Sequence, residues 1–312
     1  MKIVVTGGAG FIGSNVVDTY VEAGHEVLII DNLSTGKEEN LNTKANFEKI
    51  DIRDKKVHDI ISSFSPDVIN HIAAQIDVRK SLSDPVFNAE VNELGMLNIL
   101  ETAVKTKAKK LLFSSTGGAI YGEIKEKDGA DEGHPQEPIS PYAITKRAGE
   151  LYLYAYHVNY GLNYTVLRYG NVYGPRQDPL GEAGVNAIFC GKMLKGEIPT
   201  IYGDGKQLRD YLFVKDVAQI NLIALKKGDN TTYNIGRGIG ISVNELFKHL
   251  KELLNFTGEA IYASPRAGEL FRSVLNCKKA ERELGWKAEV DIRKGLELTL
   301  HWYKEKQNIR TL

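Results

Sequence analysis

The chain has 312 residues, 42% of them hydrophobic, which is enough for one large α/β domain with an appended lobe or for two modest domains. Lys and Arg total 40 and Asp and Glu total 40, so a zero net charge argues against a nucleic-acid or membrane-surface footprint. Cys190 and Cys277 stand far apart without metal-ligand spacing, which fits a reducing cytoplasm, and no window reaches the length of a membrane span.

Taken in chain order, Lys2–Thr6 reads as a buried strand that opens directly at the first residues, with no leader pattern before it. Gly7-Gly8-Ala9-Gly10-Phe11-Ile12-Gly13 follows, then a helix through Ala23 that Gly24 stops, then a strand over Glu26–Ile30. This is a βαβ unit. Gly7 permits the tight turn, Gly10 lets the backbone approach a pyrophosphate, and Gly13 lets helix and strand pack closely. The free N–H groups at the helix start face the phosphates. Asp31 ends the second strand about 20 residues on, where a carboxylate contacts a ribose 2′-OH and repels a 2′-phosphate, so NAD is expected rather than NADP.

Asp67-Val68-Ile69-Asn70-His71-Ile72-Ala73-Ala74-Gln75 reads as a strand running into a loop. His71, at a strand end before small residues, reads as structural. Asn88–Ala103 reads as one helix. Leu111–Phe113 is a buried strand ending in Ser114, Ser115 and Thr116 and opening into Gly117-Gly118. In such sheets ligands bind beyond the carboxyl ends of the strands. Ser140-Pro141-Tyr142 then starts a long helix, with Pro141 suited to its first turn. Tyr142 and Lys146 are four apart on one helix face. A phenol is a poor base near neutral pH, and an ammonium beside it favours the phenolate.

The loop TGGAGFIG, the pair Asp31-Asn32 and Tyr142-x-x-x-Lys146 together resemble an extended short-chain dehydrogenase/reductase, more narrowly the nucleotide-sugar 4-epimerases. The likeness spans nearly the whole chain. It implies a bound NAD touched by Gly7, Gly10, Phe11, Ile12, Gly13, Asp31, Asn32, Asp51, Ile52, Ala73, Ala74, Gln75, Asn92, Ser114, Tyr142, Lys146 and Tyr169. It implies Tyr142 as the base, assisted by Lys146, with Thr116 or Ser115 relaying the proton of the sugar 4-OH. The related dehydratases and decarboxylases carry carboxylates in the loop after that strand. Here Thr116-Gly117-Gly118 offers none until Glu123.

In the C-terminal half, Leu162–Tyr169 reads as a strand, Ala183–Lys195 as a helix, and glycines including Gly181 and Gly184 punctuate short elements. Pro199–Gly205 reads as strand and turn, Val214–Lys226 as a helix, and Ser264-Pro265-Arg266-Ala267-Gly268-Glu269 as a turn. Val243–Leu254, Lys278–Leu284 and Ile292–Lys304 read as amphipathic helices. By the resemblance, Asn171 binds the substrate phosphate, Arg209 and Arg266 clamp the diphosphate, Glu269 holds the ribose and Tyr202 lies near the uracil. Thr116 and Tyr142 meet the sugar, and Ser273, being small, leaves room for an N-acetyl group.

The expectation is therefore a doubly wound parallel (Rossmann) sheet over residues 1–170 plus about 213–238. A smaller mixed α/β lobe takes 171–212 and 239–312. The expected activity is a UDP-hexose 4-epimerase with bound NAD, as a homodimer formed through helices 88–103 and 142–160. A related dehydratase, decarboxylase or UDP-glucuronate epimerase, and a non-catalytic NAD-binding sensor, stay open at this point.

Overall fold

A computed structural model describes residues 1–179, 184–266 and 268–310. The sequence-predicted features at Gly181, Ala183 and Ala267 lie outside the described residues. Thirteen strands occur among the described residues: β1 Lys2–Thr6, β2 Glu26–Asp31, β3 Asn46–Lys49, β4 Val68–His71, β5 Lys110–Thr116, β6 Asn163–Tyr169, β7 Asn171–Tyr173, β8 Thr200–Tyr202, β9 Leu208–Phe213, β10 Thr231–Ile235, β11 Gly240–Ser242, β12 Ile261–Ala263 and β13 Arg272–Ser273. The α-helices are α1 Phe11–Glu22, α2 Val57–Phe64, α3 Val78–Ser83, α4 Pro85–Ala89, α5 Gly95–Lys105, α6 Pro141–Tyr160, α7 Val185–Leu194, α8 Val214–Ala224, α9 Val243–Leu254, α10 Lys278–Leu284 and α11 Ile292–Arg310.

Seven strands form one parallel sheet in the order β10-β6-β5-β4-β1-β2-β3. Both faces are covered, so alternate residues of each strand enter two separate cores. Ile3, Val5, Ile29 and Leu112 pack with Val16 and Tyr20 of α1 and with Val217 and Ile220 of α8. Val4, Ile30, Ile69 and Phe113 pack on the other face with Ile61 of α2, Ile99 of α5 and Leu153 of α6. Each such fully buried aliphatic side chain contributes about 1.5–3 kcal/mol.

The chain order reverses between β1 and β4, and that reversal opens the crevice at the carboxyl ends of the strands. The smaller C-terminal lobe has a mixed sheet. In it β9 pairs antiparallel with β11 and parallel with β7 and β13. Its own core joins Phe189 and Met193 of α7, Leu246 and Leu250 of α9, and Leu296 and Leu300 of α11. α8 and β10 return to the large domain between these pieces.

Several helix bounds differ from the sequence expectation, α8 among them, which ends at Ala224 rather than Lys226. The single helix expected over 88–103 is α4, a π-turn at Glu90–Leu94, then α5. The extra backbone residue turns Asn92 inward, a use typical of π-turns beside functional sites. α7 is shorter than expected, and α11 continues to Arg310.

Candidate active site

The crevice is built on contact between the glycine loop and the end of β4. Gly7 has φ 71°, and a Cβ there would stand 2.8 Å from the Ala73 backbone. A Cβ on Gly13 would stand 2.0 Å from the Gly7 carbonyl oxygen, so only glycine fits this first turn of α1. Gly10 is the N-cap of α1 and supplies no side-chain cap, which leaves the first helical N–H groups directed at the cleft. Gly7, Gly10, Phe11, Ile12 and Gly13 all line it, as do Ala73 and Ala74 across from them.

Asp31 holds the next wall. Its carboxylate accepts the Ala9 N–H at 3.0 Å and the Leu33 N–H at 2.8 Å, tying the glycine loop to the turn after β2. Asn32 donates to Asp51 at 2.8 Å, and the Arg53 guanidinium on the same carboxylate pulls Asp51 down to about 2. Asp31, Asn32, Asp51 and Ile52 line the cleft together. Gln75 and Asn92 are not among the residues lining it. The Asn92 amide accepts the Gln75 N–H at 2.8 Å and donates to the Gln75 carbonyl at 3.0 Å and to Thr145 of α6. These two residues brace the loop after β4 against α6. His71 is buried, bonded to the Thr6 hydroxyl at 2.8 Å and pulled down to about 3 by burial.

At the far end of the cleft stand Ser114, Tyr142, Lys146 and Tyr169. Ser140 caps α6 by accepting the Ala143 N–H, and Pro141 occupies the first turn. Tyr142 is half-buried, while Lys146 is fully enclosed. The Lys146 ammonium donates to the Ser114 carbonyl at 2.8 Å and sits over the Phe113 ring. Burial pulls it down to about 7, and Glu150 one turn further on acts in the opposite direction. Ser114 donates to the Tyr169 hydroxyl at 3.3 Å.

The two candidate relay hydroxyls have different surroundings. Ser115 borders the cleft, yet its hydroxyl donates to Glu150 Oε1 at 2.6 Å within the buried interface of β5 and α6. Alternation along β5 puts Thr116 on the opposite face, with Ser114. The Ser115 hydroxyl is thus engaged by Glu150, while Thr116 carries its hydroxyl on the other face of the strand.

Residues of the smaller lobe supply a second group. Arg209 pairs with Glu269 at 3.3 Å, and the Arg266 guanidinium stacks 3.9 Å above the Tyr202 ring. Ser273 is buried and donates to the Gly118 carbonyl at 3.1 Å, which joins β13 to the loop after Thr116. Asn171 Oδ1 is buried without a hydrogen-bond partner, as are Asn186 Nδ2 and Tyr211 Oη. Such groups are costly to leave unpaired. Asn171 and Tyr211 are register partners on β7 and β9.

The model of the NAD dependent epimerase/dehydratase family matches residues 3–236, three quarters of the chain. The chain belongs to this family. A UDP-glucose 4-epimerase from Thermotoga maritima, solved with UDP-glucose, is 49% identical with a TM-score of 0.97, covering 98% of this chain and 100% of its own. The UDP-glucose 4-epimerase of Thermus thermophilus, solved with NAD, is 45% identical with a TM-score of 0.94, over 97% of this chain and 99% of its own. A UDP-N-acetylglucosamine 4-epimerase from Methanobrevibacter ruminantium, in complex with UDP-N-acetylmuramic acid, is 35% identical with a TM-score of 0.92, over 98% of each chain.

As a member of the NAD dependent epimerase/dehydratase family, the protein uses NAD, and its cleft fits the dinucleotide. The glycine cradle has no room for side chains, a carboxylate stands at the end of β2, and a Tyr/Lys pair closes the opposite end. Sequence reasoning missed Ser34 and Thr35, which line the cleft just after Asn32. Their place directly after the Asp31-Asn32 pair was the available signal. It also missed Asn186 and Tyr211, for which nothing local in the sequence marks an unpaired buried group.

Proposed function

We propose that this protein is a UDP-glucose/UDP-galactose 4-epimerase that also accepts UDP-N-acetylhexosamines. The observation that carries this reading is a single cleft with the glycine cradle and Asp31 at one end and Tyr142 and Lys146 at the other. NAD bound in that cleft would supply reversible hydride chemistry at C4 of the sugar, so inversion would consume no reductant.

In this reading Tyr142 takes the sugar 4-OH proton by way of Thr116 and later gives it back. Lys146, held on the Ser114 carbonyl, favours the phenolate. Arg209 and Arg266 hold the diphosphate with planar guanidinium donors, and Asn171 meets a phosphate oxygen through its amide N–H. Glu269 accepts from the ribose hydroxyls and Tyr202 lies against the uracil. Ser273, hydrogen-bonded to Gly118, adds no bulk at the sugar's substituents, which supports acceptance of an N-acetyl group.

A dehydratase or decarboxylase is disfavoured by the loop after β5. Its first carboxylate, Glu123, accepts the Phe271 N–H at 2.7 Å and the Arg272 N–H at 2.8 Å, so it clamps β13. The protein is further read as a homodimer, through an exposed apolar stripe on α6 formed by Ile144, Leu151, Tyr154 and Val158. A cytoplasmic location is consistent with the unpaired Cys190 and Cys277. Among the described residues no helix is long and apolar enough to cross a membrane.

The test is incubation with UDP-glucose, UDP-galactose, UDP-GlcNAc and UDP-GalNAc without added reductant, resolving the stereoisomers. Interconversion of both pairs is expected. Loss of water or CO₂ from a UDP-sugar would replace the reading with a dehydratase or decarboxylase, and no N-acetyl turnover would remove its second half.

A further inference from the structure

Lys146 and Tyr142 use one end of α6, and a second charged group lies one turn further along the same helix. Glu150 and Arg168 are both about 3% exposed at the side chain and form a buried ion pair. Arg168 Nε donates to Glu150 Oε1 at 2.9 Å and Nη2 donates to Oε2 at 2.6 Å, a two-pronged geometry. Arg147 Nη1 adds a third donor at 3.1 Å. Glu150 Oε1 also accepts the Ser115 hydroxyl at 2.6 Å. The carboxylate on α6 therefore grips β5 and β6 at once, where Ser115 and Arg168 are register partners.

The same arginine reaches the loop beyond Thr116. Arg168 Nη1 donates to the Tyr121 hydroxyl at 2.6 Å, and Tyr121 donates to Asn234 on β10 at 2.7 Å. Gly117 and Gly118 return N–H bonds to the Tyr169 carbonyl at 2.7 and 3.2 Å. Thr116 is thus fixed between a residue held by Glu150 and a loop held by Arg168. A buried ion pair is a poor source of net stability, because desolvation offsets much of its attraction. Its two fixed bonding directions can nevertheless set geometry.

We propose that Glu150 is a positioning residue of the reaction, which through Ser115 and Arg168 sets the place of the Thr116 hydroxyl relative to the Tyr142–Lys146 face of α6. This rests on Thr116 being the proton relay. An error of about 1 Å in such a relay can cost on the order of 100-fold in rate without loss of binding.

The decisive measurement is a double-mutant cycle with Glu150→Gln and Thr116→Ala. Glu150→Gln alone lowers kcat on the order of 10- to 100-fold, with KM for the UDP-sugar and the bound NAD content unchanged. In the Thr116→Ala background the same substitution has no further effect on kcat. Additive losses, or a Glu150→Gln enzyme with wild-type kcat, overturn the proposal. A Thr116→Ala enzyme with wild-type turnover overturns the relay assignment instead, so the two failures are distinguishable. Should Glu150→Gln fold poorly, Ser115→Ala removes only the hydroxyl link. It is expected to lower kcat in the same Thr116-dependent way, and an additive loss there overturns the proposal equally.

Discussion

The Lys146 ammonium donates to the Ser114 carbonyl at 2.8 Å, so the helix that carries Tyr142 is tied to β5 two residues before Thr116. The bond joins α6, whose first turn carries Tyr142, to the strand that ends in Thr116. It also explains how an enclosed cation is tolerated: the carbonyl and the Phe113 ring replace water.

Removing the proposed base tests that arrangement most directly. Tyr142→Phe is expected to bind UDP-sugar normally and lose about 10²- to 10⁴-fold in kcat, the usual contribution of a positioned base. Steady-state turnover with calorimetric binding checks it, and near-wild-type kcat would remove Tyr142 from its role.

Gly13→Ala is expected to abolish NAD loading, since the new Cβ would stand 2.0 Å from the Gly7 carbonyl oxygen. The amount of dinucleotide released on denaturing the purified variant is the readout. A fully loaded variant would show that the cradle accepts a side chain.

Arg266→Ala is expected to raise KM for UDP-sugars with little change in kcat. The loss of a charge-assisted contact, about 1.5–3 kcal/mol, corresponds to roughly 10- to 100-fold. An unchanged KM would place the diphosphate elsewhere than beside the Arg266–Tyr202 stack.

His71 gives a pH dependence of stability with a definite sign. Burial pulls it from 6.5 to about 3, so between those values the unfolded chain binds a proton that the folded one refuses. The stability due to neutral His71 is whole above 6.5 and is lost as pH falls, by about 1.4 kcal/mol per unit. In His71→Leu the unfolding free energy should depend less steeply on pH between about 4 and 6 than in the wild type. Urea denaturation across that range measures it, and equal slopes would mean that His71 titrates normally in the fold.

The apolar stripe on α6 predicts an assembly. With Leu151 and Val158 replaced together by Glu, sedimentation should give the mass of one chain, against two for the wild type. A wild type that sediments as a single chain would assign the stripe to another partner.

Local chemistry was legible in the sequence because each local rule needs only neighbours along the chain. The glycines at 7, 10 and 13 announce a turn and a close approach, Asp31 follows at a fixed interval, and Pro141 with Tyr142 and Lys146 marks a helix start and one of its faces. The parallel sheet and its crevice follow from that alternation of strand and helix. What folding alone decided are the relations between residues far apart in sequence. Ser115 and Thr116 look equivalent until Glu150, 35 positions on, takes the Ser115 hydroxyl. Gln75 and Asn92, 17 positions apart, are joined only once the π-turn has brought the Asn92 amide to the Gln75 backbone. Hydrogen-bond partners are chosen by three-dimensional packing and by the cost of leaving a buried polar group unpaired, and neither is written in the spacing of residues along one chain.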